Sequence, residues 1–147
     1  MTGTNTHDAA HQNQTTTLMY ELLDATEENV VALRMHNGTS AGYRELYELL
    51  TEKNEQYGSI HVYEETTGWT GWTFLTHLHG LLPDLQYGPA FDIQRYAAVG
   101  DNGWARLLYE LWKLIRPVWP VAPKEMRYFD IDDREEALRW IKYGDTV

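Results

Sequence analysis

Three short groups of residues have types and spacing that could carry chemistry. His77 and His79 form a His-x-His pair, which on a strand would aim two imidazoles at one metal ion. They fall instead in the pattern Trp72 to Leu82, with Phe74, Leu75, Leu78, Leu81 and Leu82 on one side of a helix. Two positions apart on a helix is about 200°, so the rings cannot share an ion; surface or helix-edge histidines are expected. Glu64 and Glu65 are adjacent, and at a strand end they point opposite ways, whereas a general acid/base pair needs facing groups. Solvated loop carboxylates are expected. Gly100-Asp101-Asn102-Gly103 follows a strand as phosphate loops do, but it has no GxGxxG spacing and no lysine, and Asp101 would repel a phosphate. An N-cap for the next helix is the better reading. No serine or threonine has a convincing histidine partner, and no cysteine exists. The residues offer no catalytic constellation, no metal site and no cofactor site, so a non-enzymatic protein is expected.

The positive signal is aromatic, with 6 Trp and 10 Tyr. The stretch Arg95–Pro120 opens as a short strand, breaks at Gly100-Asp101, and runs as a helix from about Trp104 to Arg116. Pro117 stops it, because the residue before a proline is pushed out of helical geometry. At about 100° per residue, Trp104, Ala105, Leu107, Leu108, Leu111, Trp112, Leu114 and Ile115 share one half-circle. Arg106, Tyr109, Glu110, Lys113 and Arg116 fill the other. A core-facing helix needs an apolar stripe only about 100° wide, so some of this surface is left for another purpose. Trp104 is expected near the middle of the core stripe, and Trp112 and Trp119 partly accessible at its edge. Ligands of open α/β sheets favour the carboxyl ends of the strands, where Trp69, Trp72 and Trp104 would converge. The candidate ligand-binding residues are therefore Trp69, Trp72, Trp104, Leu108, Trp112, Ile115 and Trp119. The competing reading makes them ordinary core residues of a small domain.

The elements that must position them are legible from periodicity. Residues 1–15 are polar and lack any apolar face, so a disordered tail is expected ahead of a single domain over 16–147. Thr17–Leu23 and Asn29–His36 are β-rich runs with a short link, which predicts an antiparallel hairpin. Tyr43, Leu46, Tyr47 and Leu50 predict a helix with a hydroxyl N-cap before it and Gly58 as its stop. Ile60–Tyr63 is a third strand, Trp72–Leu82 a second helix and Met126–Phe129 a last strand. Asp132 with Glu135 predicts a capping box opening a final helix, with Leu138 and Ile141 facing in. Strand–helix alternation means right-handed βαβ units and a largely parallel sheet. Arg34, His36, His61, Tyr63, Gln94 and Tyr96 sit on one polar phase of the strands, so helices crowded on one face, with the other partly wet, are expected.

The totals set outer bounds. A chain of 147 residues is long enough for one substantial core. A net charge of −10 argues against nucleic acid and anionic membrane surfaces as partners. No apolar run approaches a membrane span, and no signal peptide pattern is present. A soluble, cytoplasmic protein with at most transient membrane contact is expected.

The residues from Leu22 to Tyr143 resemble the SpoIIAA-like family, within the wider STAS (sulfate transporter and anti-sigma factor antagonist) fold class. The resemblance is carried by Glu28-Asn29-Val30-Val31-Ala32-Leu33, Gly68-Trp69-Thr70, Ala97 to Asp101 with Trp104, Arg127-Tyr128-Phe129-Asp130 and Glu136 to Trp140. It implies an α/β fold of SpoIIAA/STAS type, a mixed, mainly parallel sheet of about five strands with helices mainly on one face. For function it implies binding of small apolar molecules or lipids, by fold-level likeness alone. The anti-sigma antagonists carry a phosphorylatable Asp-Ser-Ser/Thr-Gly turn after the third strand. Here Glu64-Glu65-Thr66-Thr67-Gly68 stands in that place, so Thr67 is not expected to act as a switch. The resulting expectation is a small apolar or lipid-like ligand beside the tryptophan-rich helix. The alternative is a protein-interaction or self-association module, with a second copy as partner.

Overall fold

The computed structural model describes residues 19–80, 92–101, 103–118 and 123–145. The expected N-terminal tail and Trp119 lie outside the described residues, as do the side chains of Leu78 and His79. The chain runs β1 (Tyr20–Leu22), β2 (Val30–Met35), α1 (Ser40–Tyr57), β3 (Ile60–Thr66), α2 (Gly71–Gly80), β4 (Ile93–Gly100), α3 (Gly103–Ile115), β5 (Glu125–Asp130) and α4 (Arg134–Tyr143). Short 3-10 turns follow α3 and precede α4.

The five strands form one sheet in sequence order, with β1 antiparallel to β2 and the remaining pairs parallel. That order explains the helix placement. Three successive crossovers, through α1, α2 and α3, each step one strand in the same direction. All being right-handed, they must leave their helices on the same face. Only α4, which follows the last strand, is free to fold back over the other face.

Two buried clusters result. Val31, Leu33, Met35, Ile60, Val62 and Ile93 meet Tyr43, Leu46, Tyr47 and Leu50 of α1, together with Trp69. On the opposite face Val30, Ala32, Tyr63, Ala97 and Val99 meet Ala137, Trp140 and Ile141 of α4. The second face is thus covered in part by one helix, while Arg34, His36 and His61 on it keep surface in solvent, as the polar strand phase suggested. Part of that phase was misassigned. β4 carries one extra residue at its start, since Ile60 pairs with Ile93 but His61 pairs with Arg95. The bulge puts Arg95 on the α4 side, where it donates to the Ile141 carbonyl at 2.9 Å, and turns Tyr96 to the three-helix side.

Local signals mostly hold. Thr39 Oγ1 accepts from Gly42 N at 2.9 Å to cap α1, and Gly58 ends it at φ 84°, a conformation costly for other residues. The capping box of the final helix does not form. Asp130 caps the 3-10 turn by accepting from Asp132 N, and Asp133 at the start of α4 makes no side-chain cap. β3 extends to Thr66, absorbing both glutamates that were expected in a loop.

Candidate functional site

Between the sheet and α1, α2 and α3 lies a cavity of about 100 Å³. Alternation along β3 sends Val62, Glu64 and Thr66 into its floor, and β4 adds Tyr96 and Ala98. Tyr43, Leu46, Tyr47 and Leu50 of α1 form one wall, Trp69 and His77 another, and Ala105, Leu108, Tyr109 and Trp112 of α3 the third. Those four α3 residues stand at i, i+3, i+4 and i+7, the spacing of one helical stripe.

This stripe is rotated from the one expected. Tyr109, assigned to the polar half, is buried, while Trp104 is 43% exposed and Leu107 and Leu114 also face outward. A long Tyr side chain buries its ring and leaves only a hydroxyl to satisfy, so it serves a core as well as Leu does. Of the seven candidate residues, Trp69, Leu108 and Trp112 line the cavity. Trp72 and Trp104 do not: Trp72 is 67% exposed, and Trp104 packs outside against Phe74, with ring centroids 5.5 Å apart. Ile115 is half-buried away from the lining. The site also lies over the middle of the sheet face, deeper than the strand ends where the three tryptophans were to converge.

His77, Glu64 and Thr66 of the cavity were placed on the surface or in a loop by the sequence; His77 and Thr66 are buried and Glu64 is half-buried. His77 is 1% exposed. Its ring stacks on Trp69, with centroids 4.5 Å apart and planes 6° from parallel. Nε2 bonds the His36 carbonyl, which can only accept, so Nε2 carries the proton; Nδ1 then accepts from the Tyr43 hydroxyl at 2.7 Å. Burial pushes the imidazole pKa down to about 4, only partly offset by the carbonyl. His77 is therefore neutral near pH 7. A depressed histidine binds fewer protons folded than unfolded, so its stabilising share is complete above pH 6.5 and is lost as pH falls toward 4. At about 1.4 kcal/mol per pKa unit this amounts to roughly 3 kcal/mol. An NMR titration should find the His77 ring signals flat down to about pH 5. An inflection near 6.5 would contradict the network.

Glu64 and Glu65 do point opposite ways, but neither lies in a loop: Glu64 is half-buried and Glu65 buried. Glu65, 3% exposed, lies on the α4 face, accepts from Tyr63 OH at 2.8 Å and pairs with Arg34 at 3.3 Å. Glu64 accepts from Tyr96 OH at 2.6 Å, and the surface it retains faces the cavity. Burial raises its pKa, partly offset by that hydrogen bond. A raised carboxyl binds more protons folded than unfolded, so stability falls as pH rises from 4.5 through the folded pKa. Glu64→Gln keeps an oxygen for Tyr96 and removes the titration. It should be more stable than the parent at pH 7 relative to pH 4 in urea denaturation, and no change in that difference would contradict the burial.

Two loops meet beyond Thr66, at the carboxyl ends of β3 and β4. Thr67 is half-buried there, ahead of Gly68, whose amide donates to Asp101 Oδ1 at 3.1 Å. Asp101, expected as an N-cap, thus ties the β3–α2 loop to the β4–α3 loop. Gly100 lets α3 and β5 approach the end of β4, since a Cβ there would lie 2.7 Å from both Ala105 Cβ and the Tyr128 hydroxyl. Among the described residues, no cluster of three or more metal-ligating side chains occurs, and no helix is long and apolar enough to cross a membrane.

A mixed, mainly parallel five-stranded sheet with three crossover helices on one face and a closing helix on the other defines a STAS-type α/β domain. The family model described as SpoIIAA-like matches residues 30–142, and the chain belongs to the SpoIIAA-like family. No curated protein and no solved structure matches the chain.

Proposed function

We propose that this domain is a non-enzymatic binding protein that holds one small, largely apolar molecule in the cavity under α3. The observation that carries the reading is the cavity itself: about 100 Å³ walled by aromatic and aliphatic side chains. The space opens in part to the surface, and a concave, mostly apolar opening of this kind is where small molecules bind. An apolar cavity of about 150 Å³ takes a molecule the size of benzene, whereas drug-sized ligands need roughly 300 Å³ or more. The occupant is then a molecule of benzene's size or smaller, or the tip of a longer chain. A few polar groups that fix orientation are typical of such sites, and here the Glu64–Tyr96 pair supplies them. Outward-facing Trp72, Leu75, Trp104, Leu107 and Leu114 are what speaks for self-association, and nothing indicates what would cover them.

Solvent extraction of the purified protein followed by mass spectrometry should recover one small compound at near one per chain. Recovery of nothing, together with no rise in melting temperature in benzene-saturated buffer, would overturn the reading; a ligand at 100 times its Kd adds about 2.7 kcal/mol.

A further inference from the structure

The cavity carries a charge imbalance that an apolar ligand leaves unanswered. Among the described residues, Glu64 is the single acidic side chain in its wall, and no lysine or arginine lines it. The only basic side chain described there, His77, has both ring nitrogens engaged, by Tyr43 and by the His36 carbonyl, and stays neutral. The neighbouring carboxylate shows the contrast. Glu65, on the other side of the same strand, is buried against Arg34, whereas Glu64 has Tyr96 alone among the described residues. A half-buried carboxylate without a cation gives up part of its hydration with no charge to replace it.

The rest of the wall suits a positive charge. Tyr43, Tyr47, Trp69, Tyr96, Tyr109 and Trp112 surround the same space. Aromatic faces carry negative potential, and cages of such rings recognise quaternary ammonium groups, more strongly when water is excluded. The protein's net charge of −10 would also draw cations toward it.

We propose that the cavity takes a small organic cation, a quaternary ammonium or alkylamine, with its charge against the Glu64 carboxylate and its alkyl groups against the aromatic rings. This rests on the binding reading above and specifies its ligand class. The proposal entails proton linkage, because burial raises the Glu64 pKa and a bound cation would lower it again. The titratable groups facing Glu64 across the cavity are Tyr96 of β4, Tyr43 and Tyr47 of α1, His77 of α2 and Tyr109 of α3. The tyrosines with resolved shifts, Tyr96 and Tyr109, titrate above their ordinary range, and His77 at about 4, so neither intrudes between pH 5 and 8.

The test is calorimetric titration of the full chain with choline and with 3,3-dimethylbutan-1-ol, its uncharged carbon isostere. Shape and size are shared, so only the charge differs. Choline should bind roughly tenfold or more tightly than the alcohol. Glu64→Gln should abolish that preference while retaining the alcohol. If this variant does not fold, the parent's pH series decides: choline affinity should fall as pH is lowered through the Glu64 titration, and that of the alcohol should not. Equal affinity for the two compounds, or choline binding that ignores pH, overturns the cation while leaving the apolar cavity standing. Binding of neither compound overturns both.

Discussion

Trp140→Ala is expected to lower stability by about 3–5 kcal/mol, the range for truncating a fully packed tryptophan. Trp104→Ala should cost roughly 1 kcal/mol, between a surface and a core substitution. Trp140 is buried at the centre of the cluster that α4 makes with the sheet, and its ring meets Phe129 at 6.0 Å and the Arg127 guanidinium at 4.8 Å. Trp104 keeps much of its surface in solvent, and its contacts are with Phe74 and the backbone over Gly71. Urea denaturation of the two variants measures both. Equal losses would mean that the outer face of α3 is core after all.

The exposure of Trp104 departs from the helix pattern, which put it near the middle of the core stripe, and the reason is physical. The apolar half-circle of α3 contains two overlapping stripes, and periodicity cannot say which one meets the sheet. The choice falls to Tyr109, an amphipathic side chain that a polar/apolar tally puts on the wrong side. Tyr109 and Ala105 are buried and form an inward stripe with the half-buried Leu108 and Trp112, the latter partly accessible as expected. Counting tyrosine as apolar would have found it. Other parts were legible because local chemistry decides them: the α1 stripe, the Thr39 cap, the Gly58 stop and the antiparallel β1–β2 hairpin. The sequential strand order and the crossover rule then place three helices on one face. The β4 bulge was not legible, because one unpaired residue leaves no mark in composition while reversing the face of all that follows it. Nor were the internal roles of Glu64, Glu65 and His77. Each is polar, and burial becomes tolerable only through partners distant in sequence: Tyr96, Arg34 and the His36 carbonyl.

The second large effect concerns the opposite face. Arg34→Met keeps an apolar stem but removes the guanidinium from Glu65, leaving a buried carboxylate held by Tyr63 alone. Stranding one member of a buried ion pair costs about 3–5 kcal/mol, and partial exposure of Arg34 reduces this to roughly 2–3. Adding Glu65→Gln removes the stranded charge, so the double variant should recover much of the loss. A double-mutant cycle with coupling near zero would show that Arg34 does not neutralise Glu65. Glu64 provides the comparison within the same strand: Glu64→Gln should stabilise the protein at pH 7, since no arginine is left behind.

The cavity is the centre of the account, and filling it is the direct test. Ala98 lines it from β4, opposite Glu64 in the strand pairing. Ala98→Leu adds three carbons to the space without a new polar group. Melting temperature should be measured for parent and variant, each with and without saturating benzene. The expected result is a clear rise on adding benzene to the parent, no rise in Ala98→Leu, and an unliganded variant at least as stable as the parent. A rise of equal size in both proteins, or none in the parent, would contradict the assignment of this cavity as the binding site.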